Sequence, residues 1–348
     1  MQGKCGLFFT SYAQEREFFQ SGFQKSCLAI FMLVLLILPT MVNTYYVTIV
    51  NTVLISVMAA ASLNLLTGFC GQISLGHAAF MGVGAYSTAN ALIWGIPFLP
   101  AVLFGGLCSA VIGMFFGIPS LRLKGIYLAI STMAAQLILS YVFLHWDGAT
   151  GGSSGILLRP PQIFGYVFDS HEKRYYLFLG MTVLVLLTIS NLVRSRFGRA
   201  FVAIRDFHLS AEIAGVNLFK FKLYAFGVSS FLAGIAGAML VHRTMKVSMD
   251  NFGIDMSIAY LAMIIVGGLG SVLGSIMGGI FMSLLPVVLG IVAASLSGVF
   301  SGIESQIAAV KEGVFGLVII LFLIFEPEGL VHRWRLIKAY WKLYPFAH

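Results

Sequence analysis

Between Thr67 and Tyr86 the chain reads TGFCGQISLGHAAFMGVGAY, and three side chains there have chemistry to offer. Gln72 brings an amide, Ser74 a hydroxyl and His77 an imidazole, set among Gly68, Gly71 and Gly76. Ser74 and His77 stand three apart, so on a helix they share a face. As a nucleophile–base pair they lack an orienting acid. Two roles remain: a polar lining for a solute path, or hydrogen bonds to neighbouring backbone. Gly68 and Gly71 can break a helix, and unwound backbone at membrane depth is tolerated only where it is buried in protein or lines a watery cavity. A second glycine-interrupted stretch, VGGLGSVLGSIMGG over residues 266–279, holds Gly267, Gly268, Gly270 and Ser271. Gly270, Gly274 and Gly278 form a small-xxx-small row, whose default use is close helix packing. One broken segment in each half of a chain is also the pattern of transporters built from two repeats.

Other chemistries find no residues. The chain has no G-x-x-x-x-G-K-[ST]; Gly267–Ser271 is followed by apolar residues rather than Lys, so it is no phosphate cradle, and any ATP hydrolysis falls to a partner. His-x-x-x-His, His-Glu-x-x-His, a TVGYG-like filter and an arginine ladder are all missing from the sequence. The expected spans are nearly free of charge: His77 is the one clear ionisable residue deep in a span, with Glu304, Lys311 and Glu312 at or before the start of the last. A chain of buried carboxylates for a coupling ion is missing, so energy for transport must come from elsewhere. Cys5, Cys27, Cys70 and Cys108 have no CxxC spacing and read as small hydrophobes, not as a metal site or disulfide framework.

The elements that must position these residues follow from composition. Of 348 residues, 59% are hydrophobic and 10% charged, with a mean hydropathy of +0.95; a soluble domain is about a quarter charged. Such a chain cannot coat a water-facing surface, which excludes a soluble enzyme or a DNA-binding module. The net charge of +8 comes from basic loops between apolar runs and is not a nucleic-acid signature. About 20 apolar residues cross a bilayer core. The expectation is an all-α polytopic membrane protein with about ten transmembrane helices (8–10), near residues 26–42, 46–67, 73–94, 98–119, 125–145, 176–193, 221–241, 255–269, 272–291 and 310–326. The eighth is short enough to be a re-entrant half-helix. The first apolar run, Cys27 to Leu38, has a basic flank at Lys25 but no small-x-small cleavage site, and reads as a retained span.

Basic residues set the orientation. With the N-terminus inside, Lys4, Arg16, Lys25, Arg122, Lys124, Arg194, Arg196, Arg199, Arg205, Lys220, Lys222, Arg333, Arg335, Lys338 and Lys342 fall on the cytoplasmic side, 15 of 21 Lys and Arg. Arg159, Lys173, Arg174, Arg243, Lys246 and Lys311 fall outside or at a span edge. Both termini are therefore expected in the cytoplasm, with an even number of crossings. Trp94, Trp146, Trp334 and Trp341 lie near expected interfaces. The domain plan is a cytoplasmic or interfacial N-terminal segment over residues 1–25, a transmembrane domain over 26–330 and a cytoplasmic tail over 331–348. Within the membrane domain, 146–175 is an external loop with Gly-rich and Pro-Pro stretches, and 194–220 is a cytoplasmic loop. In that loop Phe201, Ile204 and His208 could form one helical stripe, and Glu212 to Gly215 a second short helix ending at Gly215. Lying flat, the loop offers a docking surface to a soluble partner.

The loop carries a resemblance. Phe197-Gly198-Arg199-Ala200-Phe201, Ala203-Ile204-Arg205-Asp206 and Ala214-Gly215-Val216-Asn217 are similar to the coupling loop of branched-chain amino-acid ABC permeases of the LivM type. Gly71-Gln72-Ile73-Ser74-Leu75-Gly76-His77-Ala78-Ala79-Phe80 resembles a second hallmark, and Leu121-Arg122-Leu123-Lys124-Gly125, Thr150-Gly151-Gly152, Val266–Ser271 and Pro327-Glu328-Gly329-Leu330 follow in family order. The family's Thr-Gly-Gly-Pro-Asn-Gly-like loop reads Thr-Gly-Gly-Ser-Ser-Gly here.

The resemblance implies a multi-pass permease of the bacterial inner membrane, half of a translocation path for amino acids. It implies a second homologous permease, two cytoplasmic ATPases that bind ATP and Mg, and a periplasmic solute-binding protein, with no cofactor, no catalytic residue and no metal in this chain. Gln72, Ser74, His77, Gly71, Gly267, Gly268, Gly270 and Ser271 are then expected on the pathway, and Arg199, Arg205, Asp206, Glu212 and Gly215 in coupling to the ATPases. A urea or short-chain amide permease, a stand-alone channel or secondary carrier, and a membrane-embedded enzyme are the alternatives.

Overall fold

Small side chains decide which helices lie inside this molecule. The computed structural model describes residues 22–120, 125–163, 165–297, 307–326 and 328–343. Helix α1 (Gly22–Met41) leads to α2 (Thr44–Asn64), which continues through one π-helical turn, Leu65–Phe69. Then come α3 (His77–Ile93), α4 (Phe98–Ser120), α5 (Ile126–His145), the single turn α6 (Asp147–Thr150) and α7 (His171–Arg194). Helices α8 (Arg196–Asp206) and α9 (His208–Ile213) precede the long α10 (Leu218–Thr244). The chain finishes with α11 (Ile254–Gly267), α12 (Val272–Ser297), α13 (Ile307–Phe325) and α14 (Leu330–Leu343).

Each of the ten expected spans holds a helix, and among the described residues seven helices are long and apolar enough to cross a membrane. The eighth span is not a half-length element: a 3-10 turn at Met249–Phe252 extends α11 to a 19-residue segment, Met249–Gly267. The all-α expectation needs one amendment. The expected external loop carries two-residue strands, β1 (Ile156–Leu157), β2 (Gln162–Ile163) and β3 (Tyr166–Val167), and β4 (Lys246–Val247) follows α10. β1 pairs antiparallel with β4, placing Ile156 opposite Val247, and β2 pairs with β3. That loop also ends earlier than residue 175, because Ser170 Oγ accepts the backbone N–H of Lys173 at 3.2 Å and starts α7 at His171. Most of the expected N-terminal segment (residues 1–21), Arg122, Lys124, Glu304 and residues 344–348 lie outside the described residues.

Helices α2 and α10 are 83% buried over their apolar windows, against 28% for α12. Helix α2 presents Ala59, Ala60, Ala61 and Ser62, all buried. A Cβ on Gly84 of α3 would collide with Cα of Gly234 on α10, so these two helices touch backbone to backbone. In lipid, where tails are as apolar as Leu, such close packing rather than expulsion of water holds helices together. On α4, Leu103, Leu107, Val111 and Phe115 form an exposed row four residues apart.

The two ends of the bundle differ. At one end the turns after α2 and α11, the α8–α9 segment and the start of α14 meet. At the other, β1 lies on β4 and Asn90 Nδ2 donates to Ala149 O at 2.7 Å. There the buried Arg174 closes α10: its Nη1 donates to the carbonyls of His242 (3.2 Å) and Arg243 (3.4 Å). A cation at a helix C-terminus meets unpaired carbonyls and the negative end of the helix dipole. A cleft of about 600 Å³ opens at this end, lined by Pro97, Phe98, Arg159 and Gln162 among others.

Candidate functional site

The two glycine-interrupted stretches, some two hundred positions apart in sequence, form one joint. After the π-turn the chain unwinds from Gly71 (φ +71°) to Gly76 before α3 begins. Thr67 Oγ1 donates to Gln72 O at 3.0 Å, and Gln72 N–H donates to Leu66 O at 3.1 Å. At the second break, α11 stops at Gly267 because Gly268 takes φ +122° and ψ 116°, a conformation open essentially to glycine alone. Gly270 follows at φ +70°, and α12 starts at Val272. A Cβ on Gly68 would collide with the backbone nitrogen of Gly270, so the breaks lie against each other.

Asn64 ties them. Its Nδ2 donates to Ser271 O at 2.9 Å and Ser275 Oγ at 2.8 Å, and its Oδ1 accepts the Gly270 N–H at 3.0 Å. The side chain is fully buried. Its amide thus takes up the Gly270 N–H that the second break leaves free, which is how irregular chain is tolerated inside a membrane.

Arg205 reaches the same joint from α8. Its Nη1 donates to Gly68 O at 2.8 Å, while its Nε pairs with Asp206 Oδ1 at 2.8 Å. Gly71 packs on the Arg205 stem: a Cβ there would stand 3.0 Å from Cγ. A Cβ on Gly270 would stand 2.5 Å from Arg205 Nη1. The guanidinium is therefore inserted where both breaks meet, and Gly71 and Gly270 leave the room for it.

Gln72, Ser74 and His77 are all buried. His77 Nε2 lies 3.0 Å from Ser62 Oγ and 3.1 Å from Ala59 O, against α2, with its ring edge-on to Tyr260. Gln72 Nε2 contacts Cys70 Sγ at 3.2 Å. Gln72 Oε1 and Ser74 Oγ are buried without a hydrogen-bond partner among the described residues. Ser74 and His77 do not share a helical face as expected, since Ser74 precedes the helix that His77 begins.

The N-terminus of α3 points into the protein, and side chains of other helices satisfy it. Leu75 N–H donates to Thr132 Oγ1 (2.9 Å), Ala78 N–H to Ser257 Oγ (2.9 Å) and Ala79 N–H to Gln136 Oε1 (2.8 Å). Gln136 Nε2 in turn donates to Phe252 O at 2.6 Å. These partners, with Asn64, escape the sequence reading. Their one signal is that Thr132 and Gln136 stand four apart on an otherwise apolar span, so they share a face, and a polar side chain in lipid costs free energy unless it is paired.

The α8–α9 segment presents a surface as well. Ser195 caps α8 by accepting Phe197 N–H at 3.1 Å. Phe201 and Ile204 face inward, buried. His208 does not continue their stripe, because Phe207 is extended and His208 opens α9. Gly215 at φ +85° ends α9, with Val216 N–H donating to Ala211 O at 3.0 Å. Arg199, Glu212 and Gly215 are exposed, and beside them Phe207, Leu209 and Ile213 are 74%, 64% and 88% exposed. This short segment thus exposes three large apolar side chains among polar ones. Among the described residues no group of three His, Cys, Asp or Glu side chains could hold a metal ion.

The family model for the branched-chain amino acid transport system permease component matches residues 45–323. The high-affinity branched-chain amino acid transport system permease protein LivM of Salmonella typhimurium is 31% identical over 273 residues, 71% of this chain and 64% of that protein. Its Escherichia coli counterpart is 31% identical over 271 residues, 70% of this chain and 64% of that protein. The match thus spans 64% of the length of these relatives. A solved structure, PsaBC from Streptococcus pneumoniae in complex with Fab, aligns with 86% of this chain and 97% of its own at 17% identity and a TM-score of 0.43, a likeness on which nothing below rests.

Proposed function

Since the chain belongs to the branched-chain amino acid transport permease family, we propose that it is one wall of an amino-acid importer whose gate is worked from outside the chain through Arg205. It pairs with a second homologous permease in the bacterial inner membrane. Two cytoplasmic ATPases supply the energy and a periplasmic binding protein delivers the solute, with branched-chain amino acids as the substrate class. The end carrying α8, α9 and α14 is the cytoplasmic one, as the basic residues of the sequence favour.

The observation that carries this reading is the hydrogen bond from Arg205 to Gly68 O, at the point where both breaks meet. In this reading the ATPases grip the exposed face of Phe207, Leu209 and Ile213. When they close on ATP they displace α8, and Arg205 moves with it. A hydrogen bond to a charged group contributes about 1.5–3 kcal/mol. Making it in only one of two states shifts their ratio roughly 10- to 150-fold. Releasing it frees the Gly68 and Gly270 turns to part, and α3 and α11, which start and end there, shift with them. The path then runs along the α3 break, where Gln72 and Ser74 hold unpaired polar atoms ready for a solute or water. One break in each half of the chain is consistent with two repeats rocking about that joint.

The test is reconstitution with the partner permease, the ATPases and the binding protein in proteoliposomes. Solute uptake that needs all of them and ATP supports the proposal; uptake by the chain alone would make it a stand-alone channel or carrier instead.

A further inference from the structure

Helix α14 leaves the body of the protein after its first turn. That turn is well fixed. His332 Nδ1 lies 2.6 Å from Glu328 Oε2, Arg333 pairs with Glu326, and Val331 is buried against Gly268 of the second break. A Cβ on Gly329 would stand 2.7 Å from Gly268 Cα, so the start of α14 rests directly on the joint. From Arg333 to Tyr340 every residue is exposed.

The sequence of α14, LVHRWRLIKAYWKL, contains Arg333, Arg335, Lys338 and Lys342 and not one acidic residue. Leu330, Trp334 and Ile337 stand at helical spacing on one stripe, and Arg335 and Lys338 three apart on the stripe beside it. Lys342 continues the basic spacing in the sequence. Trp334, Leu336, Ile337 and Tyr340 are open to solvent, and an apolar stripe flanked by Arg335 and Lys338, which pair with no acid among the described residues, is not stable facing water. It suits the boundary between headgroups and acyl chains. The helix begins five residues after Phe325, the last residue of the apolar helix α13, and so starts at the level where a span ends.

We propose that α14 is a docking site for anionic phospholipid, with Arg335 and Lys338 on the headgroup phosphates and Trp334 and Ile337 in the acyl boundary. A basic cluster directly after a span is attracted to an anionic leaflet, each cation adding to the preference. Because α14 is seated on Gly268, lipid bound there also biases the joint. That consequence rests on the gate reading above; the lipid site itself does not.

The experiment uses the full chain in nanodiscs, with Trp94, Trp146 and Trp341 replaced by Phe so that Trp334 alone reports. Its fluorescence is quenched with brominated phosphatidylglycerol or brominated phosphatidylcholine at equal mole fraction. The expected result is several-fold stronger quenching by the anionic lipid, lost in Arg335→Gln/Lys338→Gln and kept in the charge-preserving Arg335→Lys/Lys338→Arg. Equal quenching by both lipids overturns the proposal. So does absence of quenching by either, with Trp334 shielded only when the ATPases are added, which would assign α14 to them. A chain that selects anionic lipid yet never supports ATP-driven uptake would sink the gate reading and leave the lipid site standing.

Discussion

Arg205 Nη1 lies 2.8 Å from the carbonyl of Gly68, and a Cβ on the neighbouring Gly270 would press on that guanidinium and displace it. A half-exposed residue of the basic surface segment thus reaches the joint with one end of its guanidinium. The two glycine breaks are two sides of one contact, with the arginine on its outer edge and Asn64 on its inner one.

Gly270→Ala should be costly at two levels. The residue sits at φ +70° and its new Cβ would meet Arg205. Left-handed backbone for a non-glycine residue costs about 1–2 kcal/mol. The expected outcome is a lowered unfolding temperature in detergent together with loss of ATP-driven uptake; a variant with unaltered uptake would show that Arg205 does not need its seat.

Replacing Asn64 removes three hydrogen bonds from a fully buried amide. Asn64→Leu leaves the Gly270 N–H without its partner, at about 1–3 kcal/mol for an unsatisfied buried group, while the Ser275 hydroxyl keeps its bond to Ser271 O. Asn64→Asp keeps the acceptor but sets a carboxylate oxygen against Ser271 O. Both should fall in thermal stability, measured by size-exclusion after heating, and Leu should not rescue Asp.

Gln136→Leu and Thr132→Val strip the α3 N-terminus of two of its three partners. Each should cost about 1–3 kcal/mol. The pair should cost less than the sum, because both release the same helix end. Thermal unfolding of the singles and the double checks this as a mutant cycle.

Glu212 and Gly215 substitutions should reduce solute-stimulated ATPase activity of the assembled complex while leaving assembly intact. Nothing lies within 4 Å of a Cβ at Gly215, so Gly215→Ala strains only the φ +85° turn that ends α9. Ile213→Asp, in the middle of the exposed apolar face, should go further and lower the amount of ATPase that co-purifies with the permease by tenfold or more.

The sequence made the joint's two sides visible but not their meeting. Gly68, Gly71 and Gly267–Gly270 stand out because glycine inside an apolar span needs a reason, and the polar α8–α9 loop stands out by its charge. That Gly68 touches Gly270 is a long-range contact that no local pattern carries. Arg205 reads as one of several coupling residues on a surface loop and not as a side chain that reaches the joint, because a side chain's direction depends on where the helix docks. Asn64, Thr132 and Gln136 were hidden for a different reason: Asn64 is a single polar residue in its stretch of helix, and the spacing of Thr132 and Gln136 gives a shared face but not the backbone groups of other elements that they bond. The short strands β1 and β4 are separated in sequence by α7 to α10, so their pairing had no sequence signature either.

The most direct test measures ATP hydrolysed per solute imported in proteoliposomes for the wild-type complex, Arg205→Lys and Arg205→Ala. With Arg205 as the link between motor and gate, Ala should keep ATPase assembly yet spend at least tenfold more ATP per solute, and Lys, with its charge but not its fork, should fall between. An Arg205→Ala complex that imports at the wild-type ratio would contradict the account.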